Sequence, residues 1–319
     1  MISYEIVAVV LPIFALIALG FGAATTRLLS EQVGDALGQF VYTVAIPLLV
    51  FRTLATASFG GASPWALWAA YFSGVAIIWT TSHVLSRRIF GREARYGVIA
   101  GISSGFANMV MVGIPLISAT FGEPGLVPLF VLLSVHLPVM TIASTVQMER
   151  AAVVDGTQAP KPLGQTLVGI GRNLIVNPLV IGILSGALWR TAGLPLSGLP
   201  ADVIDKIANA AIPVALFSLG MNLRRYGIRG NLAPALVTTV LKSVGLPAVV
   251  YVLTLHVFNL PPLWVQVATL TAACPAGINA YLFATRFGTG HALSSNTITL
   301  STGFAVISIG LWMKFLGIM

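Results

Sequence analysis

The chain has 319 residues, of which 57% are hydrophobic and only 8% charged, with a mean hydropathy of +0.94 and a formal net charge of +8. A soluble surface carries about 25% charged residues, so a soluble globular domain, a disordered chain and a secreted disulfide scaffold are all excluded. The single cysteine, Cys274, allows no internal disulfide, and what remains is an all-α polytopic membrane protein.

A transmembrane helix needs roughly 20 mostly apolar residues. Ten stretches are expected to be spans: Ile6–Ala23, Leu37–Ala55, Trp65–Leu85, Tyr96–Phe121, Leu126–Met148, Leu174–Trp189, Ile207–Leu223, Leu232–Phe258, Leu263–Phe287 and Ala292–Ile318. The first lacks a basic n-region, since Met1–Glu5 holds no Lys or Arg, and no A-x-A cleavage site follows. It is therefore read as a retained span with its N-terminus outside. The longest hydrophilic stretch, Glu149 to Arg172 with Pro160 and Pro162, is read as a cytoplasmic connector. It divides the chain into a first five-helix unit over 1–148, the connector over 149–172 and a second unit over 173–319.

Charge fixes the expected orientation. With the N-terminus outside, the inner loops hold Arg27, Arg87, Arg88, Arg92, Arg95, Arg150, Lys161, Arg172, Arg224, Arg225, Arg229 and Arg286. The outer ones hold Arg190, Lys206 and Lys314. Twelve against three is a strong positive-inside bias. It accounts for the net positive charge through topology and anionic lipid, so nucleic acid is excluded as a partner.

An internal repeat is visible at an offset of 166 residues. It brings Pro12 onto Pro178, Gly20 onto Gly186, Ala45-Ile46-Pro47 onto Ala211-Ile212-Pro213, Phe51 onto Phe217 and Phe121-Gly122 onto Phe287-Gly288. Five spans per half force the halves into opposite orientations, the inverted repeat of many transporters. Spans 4 and 9 are both interrupted by Gly and Pro. Proline removes a backbone donor and clashes with the preceding turn, and freed backbone groups survive in hydrocarbon only where protein or a wet cavity covers them. Breaks are expected between Asn108 and Pro115 and between Cys274 and Asn279.

Asn108-Met-Val-Met-Val-Gly113-Ile-Pro115 resembles the N-x-x-x-x-G-I-P motif of the auxin efflux carrier family, which includes plant PIN proteins and bacterial malonate-type carriers. Pro275-Ala-Gly277-Ile-Asn279-Ala-Tyr-Leu-Phe-Ala284 resembles the matching segment of that family's second half. The similarity covers essentially the whole chain. It implies the fold shared with bile acid/sodium symporters and NhaA-type antiporters, in which broken helices 4 and 9 cross at mid-membrane between a scaffold and a transport domain, and an elevator-like motion moves the site. One departure is Ala107, where many relatives have proline before the asparagine, so a softer first break is expected.

The resemblance implies that Asn108 contacts a substrate carboxylate. Its amide also suits backbone groups freed by the break. Gly113, Pro115, Pro275, Gly277 and Asn279 complete the expected site at the two breaks. Half-helix N-termini there carry partial positive charge and unpaired N–H groups, which suit an anion. Arg52 is a further candidate for anion selection, with snorkelling to the outer interface as the alternative. Lys242 lies about 15 Å into span 8 by helix rise. An ionisable residue at that depth marks function by default, and Lys242 is read as a coupling or charge-balancing residue.

All nine acidic residues fall at span ends or in loops, so no core carboxylate is on hand to ligate sodium or relay protons. Gly101-Ile-Ser103-Ser-Gly105 matches the G-x-S-x-G hydrolase pattern but lacks acid and histidine partners. Gly97, Gly101 and Gly105 read instead as a close-packing face. His83, His136, His256 and His291 are too scattered for a metal site, and His136 is read as a core hydrogen-bonder.

The chain is thus read as a secondary carrier for a small mono- or dicarboxylate such as malonate. It is not expected to be an enzyme and needs no cofactor or metal. The alternatives are a sodium-coupled bile-acid-type symporter and a non-transporting membrane sensor. Expected partners are the organic anion and the lipid bilayer, in the cell membrane (a bacterial inner membrane). Proton coupling and a homodimer stay open, and sodium is disfavoured. The topology is directly testable. In a Cys274→Ser background, Ser3→Cys and Ile318→Cys should label with a membrane-impermeant maleimide from outside only. Labelling of either from the cytoplasm overturns the orientation.

Overall fold

The computed structural model describes residues 4–56, 63–159, 175–225 and 232–318, with isolated positions at 164, 169, 171–172, 227–228 and 230. Pro160 and Pro162 of the expected connector lie outside the described residues. The described residues form eleven helices. They are α1 (Tyr4–Thr25), α2 (Glu31–Thr56), α3 (Pro64–Arg88), α4 (Ala94–Gly105), α5 (Met109–Val154), α6 (Pro178–Thr191), α7 (Gly198–Leu223), α8 (Ala233–Val257), α9 (Pro262–Ala273), α10 (Asn279–Phe287) and α11 (His291–Phe315). No strand occurs among them, only one isolated antiparallel bridge between Ala107 and Ala276.

Six helices (α1, α2, α5, α7, α8 and α11) are long and apolar enough to cross a membrane. Chain breaks explain part of the difference from ten. The α4, α9 and α10 helices have 12, 12 and 9 residues, roughly half of the ~20 needed to span. The α5 helix in turn runs through two expected spans. It bends at Gly122, whose φ of 64° and ψ of −153° suit only glycine. It also continues past Met148 to Val154, so the start of the expected connector is helical.

Proline shapes the helices in a recurrent way. Three of them widen into a π turn two residues before a proline: Val41–Ala45 before Pro47, Met109–Gly113 before Pro115, and Leu241–Gly245 before Pro247. A proline lacks the N–H for the usual bond and its ring crowds the carbonyl four residues back. Pairing one residue further along relieves both, and such π turns concentrate at functional sites. Pro213 in α7 does not do this, and α7 stays α-helical throughout.

The helices pack as two groups. The α1, α2, α6 and α7 helices pair chiefly with one another, and α3, α4, α5, α8, α9, α10 and α11 form the second group. In the first group glycines let backbones touch. A Cβ on Gly20 would collide with the Phe217 carbonyl oxygen, and one on Gly220 with the Ile17 oxygen. A Cβ on Gly186 would lie 2.8 Å from the Phe51 oxygen. The Gly20–Phe217 and Gly186–Phe51 contacts interconvert under the same 166-residue shift that aligns the sequence. In the second group Gly97, Gly101 and Gly105 of α4 face His83, Trp79 and Val75 of α3. Among the described residues, side-chain hydrogen bonds and ion pairs running from helix to helix stay inside one group or the other.

One end of the second group is tied by Asp155. Its carboxylate accepts from the Ala94 and Arg95 backbone N–H groups at 2.9 Å each and from Arg95 Nε at 3.1 Å. Arg95 also reaches the Phe287 carbonyl, and Glu93 accepts from Thr289 Oγ1 at 2.6 Å. Burial pushes the Asp155 carboxyl up, but these hydrogen bonds and the Arg95 charge outweigh it and hold it below its ordinary value.

The close glycine seams carry a testable consequence. Gly20→Val and Gly220→Val force side chains into backbone and should cost about 3 kcal/mol or more, read as a large drop in the thermal midpoint in detergent. Gly22→Ala, with open space around it, should leave the midpoint unchanged.

Candidate functional site

The site begins with two backbone breaks that satisfy each other. The α4 helix ends at Gly105 and the chain extends through Phe106 (φ −91°, ψ 91°) to Asn108 (φ −78°, ψ 65°). The α9 helix ends at Ala273, and Cys274 is likewise extended (φ −56°, ψ 147°) before α10 starts at Asn279. The Asn108 N–H donates to the Pro275 carbonyl at 2.8 Å, and the Gly277 N–H donates to the Phe106 carbonyl at 3.0 Å. The Ala276 N–H donates to Ser301 Oγ of α11 at 3.0 Å. Buried backbone groups without water must find such partners. The first break thus lies just ahead of the window expected from sequence, at Phe106–Asn108, because the glycine and proline further on are absorbed by a π turn. The second falls where expected.

Asn108 caps the helix that follows. Its Oδ1 accepts from the Met111 N–H at 3.2 Å, and its backbone carbonyl accepts from Val112 and Gly113. That leaves the side-chain NH2 free to donate elsewhere. A Cβ on Gly113 would make ordinary contact with Cys274 Sγ and the Asn108 oxygen, and one on Gly277 with the Phe106 and Ala107 carbonyl oxygens. Pro275 supplies only its carbonyl.

A cavity of about 310 Å³ opens beside the breaks. Asn108, Gly277 and Asn279 line it, together with Tyr42 of α2, His136 of α5 and Leu179 of α6. It therefore lies where the two helix groups meet. Most of the remaining wall is apolar, and no acidic side chain lines it. Such a site, apolar with a few convergent polar groups, is the ordinary form of a small-ligand pocket. Tyr42 sits in the π turn of α2 and its hydroxyl accepts from Asn177 Nδ2 at 2.9 Å. Among the described residues no three His, Cys, Asp or Glu side chains gather as a metal centre.

Five candidates do not line this cavity: Gly113 and Pro275 at the breaks, and Pro115, Arg52 and Lys242. Pro115 shares a narrow cleft with Ile46 and Leu49 of α2 and Ala211, Ile212 and Ala215 of α7. Arg52 is held by Asp205 at 3.0 Å and Asn209 Oδ1 at 3.1 Å, both on α7. Its charge is thus engaged within the first helix group. Lys242 is fully buried, in the π turn of α8, and its Nζ donates to the Ala272 carbonyl at 2.6 Å. That carbonyl belongs to the last turn of α9, where the helix presents partial negative charge. Lys242 therefore caps the helix that leads into the second break.

His136 was read from sequence as a core hydrogen-bonder. It is buried, yet its Nε2 has no partner among the described residues, and it forms part of the cavity wall. Tyr42 was not singled out at all. The signal available was Ala45-Ile46-Pro47, whose proline widens the turn that carries Tyr42.

Comparison with known proteins identifies the family. A family described as "Membrane transport protein" matches residues 5–313. The "Putative malonate transporter" of Rhizobium meliloti (strain 1021) is 27% identical over 96% of this chain and 94% of its own length. The "Uncharacterized transporter" of Methanothermobacter thermautotrophicus is 24% identical over 95% of this chain and 96% of its own. "Auxin efflux carrier component 8" of Arabidopsis thaliana is 24% identical over 89% of this chain and 90% of its own. The chain is a multi-pass member of the membrane transport protein family to which the auxin efflux carriers belong.

Proposed function

We propose that the protein is a secondary carrier of a small organic anion, a mono- or dicarboxylate such as malonate, working by elevator-like alternating access. In this reading ten membrane-crossing segments form two inverted five-helix halves. Helices α1, α2, α6 and α7 are the scaffold, and the second group carries the site. Both termini lie outside, in the cell membrane.

The observation that carries the reading is the cavity at the paired breaks. It presents side-chain donors from Asn108, Asn279 and Tyr42 and no acidic group. Charge-assisted hydrogen bonds to a carboxylate are shorter and stronger than neutral ones, and half-helix ends at mid-membrane are where transporters hold anionic groups. The reciprocal bonds of residues 106–108 with 275–277 support the inverted halves, as do the glycine contacts that repeat at 166 residues. The position of the cavity between two helix groups supports a site uncovered by movement of one against the other.

Lys242 supplies the coupling element of this proposal. Among the described residues no carboxylate pairs with it, and its Nζ rests on the end of α9. It either stands as a fixed cation beside the break or passes a proton during the cycle.

Two variants test the site. Asn108→Ala should weaken carboxylate binding by about 1.5–3 kcal/mol, the worth of a hydrogen bond to a charged group. Calorimetry on folded protein decides it, and unchanged affinity and proteoliposome flux remove Asn108 from the site. Lys242→Gln should fold but lose transport by about tenfold or more, equivalent to at least ~1.4 kcal/mol of barrier, with its pH dependence flattened. Lys242→Arg keeps a charge but cannot release a proton, so it separates the two roles. Wild-type flux by Lys242→Gln from pH 5 to 8 makes the residue structural.

A further inference from the structure

The cavity holds one polar group that the carrier reading above does not use. His136, on α5, is only 1% exposed and belongs to the wall shared with Asn108 and Asn279. Three aromatic rings box its imidazole. Phe72 is stacked on it at 6.1 Å, Tyr71 meets it edge-on at 5.9 Å, and Phe106 meets it edge-on at 5.1 Å. Phe106 is itself the first residue of the break. The box holds the ring at a fixed angle to the break, yet Nε2 is buried with no hydrogen-bond partner among the described residues.

An unpaired buried polar atom costs about 1–3 kcal/mol, and of the buried side-chain atoms without a partner among the described residues only His136 Nε2 belongs to a residue that lines this cavity. An imidazole whose only task is packing would be served as well by a fourth aromatic ring. A buried polar atom without a partner, on a residue that lines a cavity, has a use when its partner arrives and leaves with a ligand. The other donors nearby behave in the same way. Asn108 spends its oxygen on Met111 and keeps its NH2, and the Tyr42 hydroxyl accepts from Asn177 and keeps its proton.

We propose that His136 is a binding contact for the carried ion: its Nε2–H donates to a carboxylate oxygen when the cavity closes around the substrate. The proposal rests on the carrier reading and adds to it a third class of donor beside the amides and the phenol. The imidazole donates from Nε2 in either its Nε2–H neutral form or its cationic form, so the contact itself needs no proton exchange. Because the box fixes the ring, little rotamer freedom is lost on binding. The contact therefore favours a ligand with a carboxylate oxygen at that spot over the matching carboxamide.

The test uses the full-length protein in detergent. The chain has four histidines, so His83→Asn, His256→Asn and His291→Asn together leave His136 as the sole imidazole. In this protein, 15N-labelled at histidine, saturating malonate or succinate should shift the Nε2 resonance, and malonamide or succinamide should not. In parallel, His136→Phe, which keeps the ring, should weaken carboxylate affinity roughly 10- to 150-fold, the equivalent of one charged hydrogen bond. His136→Gln, which restores a donor, should recover most of it. An unmoved imidazole signal with ligand bound overturns the proposal, as does unchanged affinity in folded His136→Phe. If His136→Phe does not fold, the resonance alone decides. Carboxylate binding with a silent His136 defeats this inference only, whereas a failure of every carboxylate to bind defeats the carrier reading beneath it.

Discussion

The structure depends on one demand: peptide groups freed inside an apolar interior must be paired by protein. Breaking α4 from α5 and α9 from α10 frees such groups in the middle of the molecule. They are paired by joining the breaks, through Asn108 to Pro275 and Gly277 to Phe106. The remaining groups recruit neighbours. Ser301 takes the Ala276 N–H, and Lys242 takes the Ala272 carbonyl. Each repair places a polar residue beside a backbone irregularity, so the requirement that stabilises the breaks also assembles the polar corner of the cavity.

Much of this was legible in the sequence, because proline and glycine act locally. The Cys274-to-Asn279 segment marked where the second helix fails, and the Asn108-to-Pro115 segment marked the first break to within a few residues. Gly97, Gly101 and Gly105 at helical spacing marked a close-packing face, though not the α3 helix that it meets. What was not legible depends on distance in the chain. The partner of Arg52 is 153 residues away, and nothing near Arg52 announces Asp205. Lys242 looked unpaired because the search was for a carboxylate, whereas its partner is a main-chain carbonyl, which leaves no trace in composition. His136 was read as a core hydrogen-bonder because a lone histidine on an apolar stretch more often packs than binds. Only the absence of a partner at Nε2 separates the two.

The repeat shows a subtler limit. The offset of 166 aligns outer features such as Gly20 with Gly186. The reciprocal bonds at the breaks, Asn108 to Pro275 and Gly277 to Phe106, instead interconvert under a shift of 169, which carries Phe106 onto Pro275 and Asn108 onto Gly277. A single sliding comparison finds the outer register and misses the inner one. The shift is absorbed beyond the breaks, where the arm of α5 from Met109 to the Gly122 bend is longer than α10.

The division of the helices has a mechanical meaning. Within the first group, backbones meet through glycine and are fastened by Arg52–Asp205, Arg225–Asp35 and Ser218–Gly34. Within the second, Asp155, Lys242 and the joined breaks do the fastening. The contacts seen between the groups at Pro115, Ile46, Leu49 and Ala215 are smooth, aliphatic and undirected. Dispersion contacts of this kind are individually worth only about 0.1–0.2 kcal/mol and carry no angular preference, so sliding exchanges one for another at little cost. On the carrier reading proposed above, this aliphatic seam is where one group would slide against the other, and the cavity lies where the two groups meet.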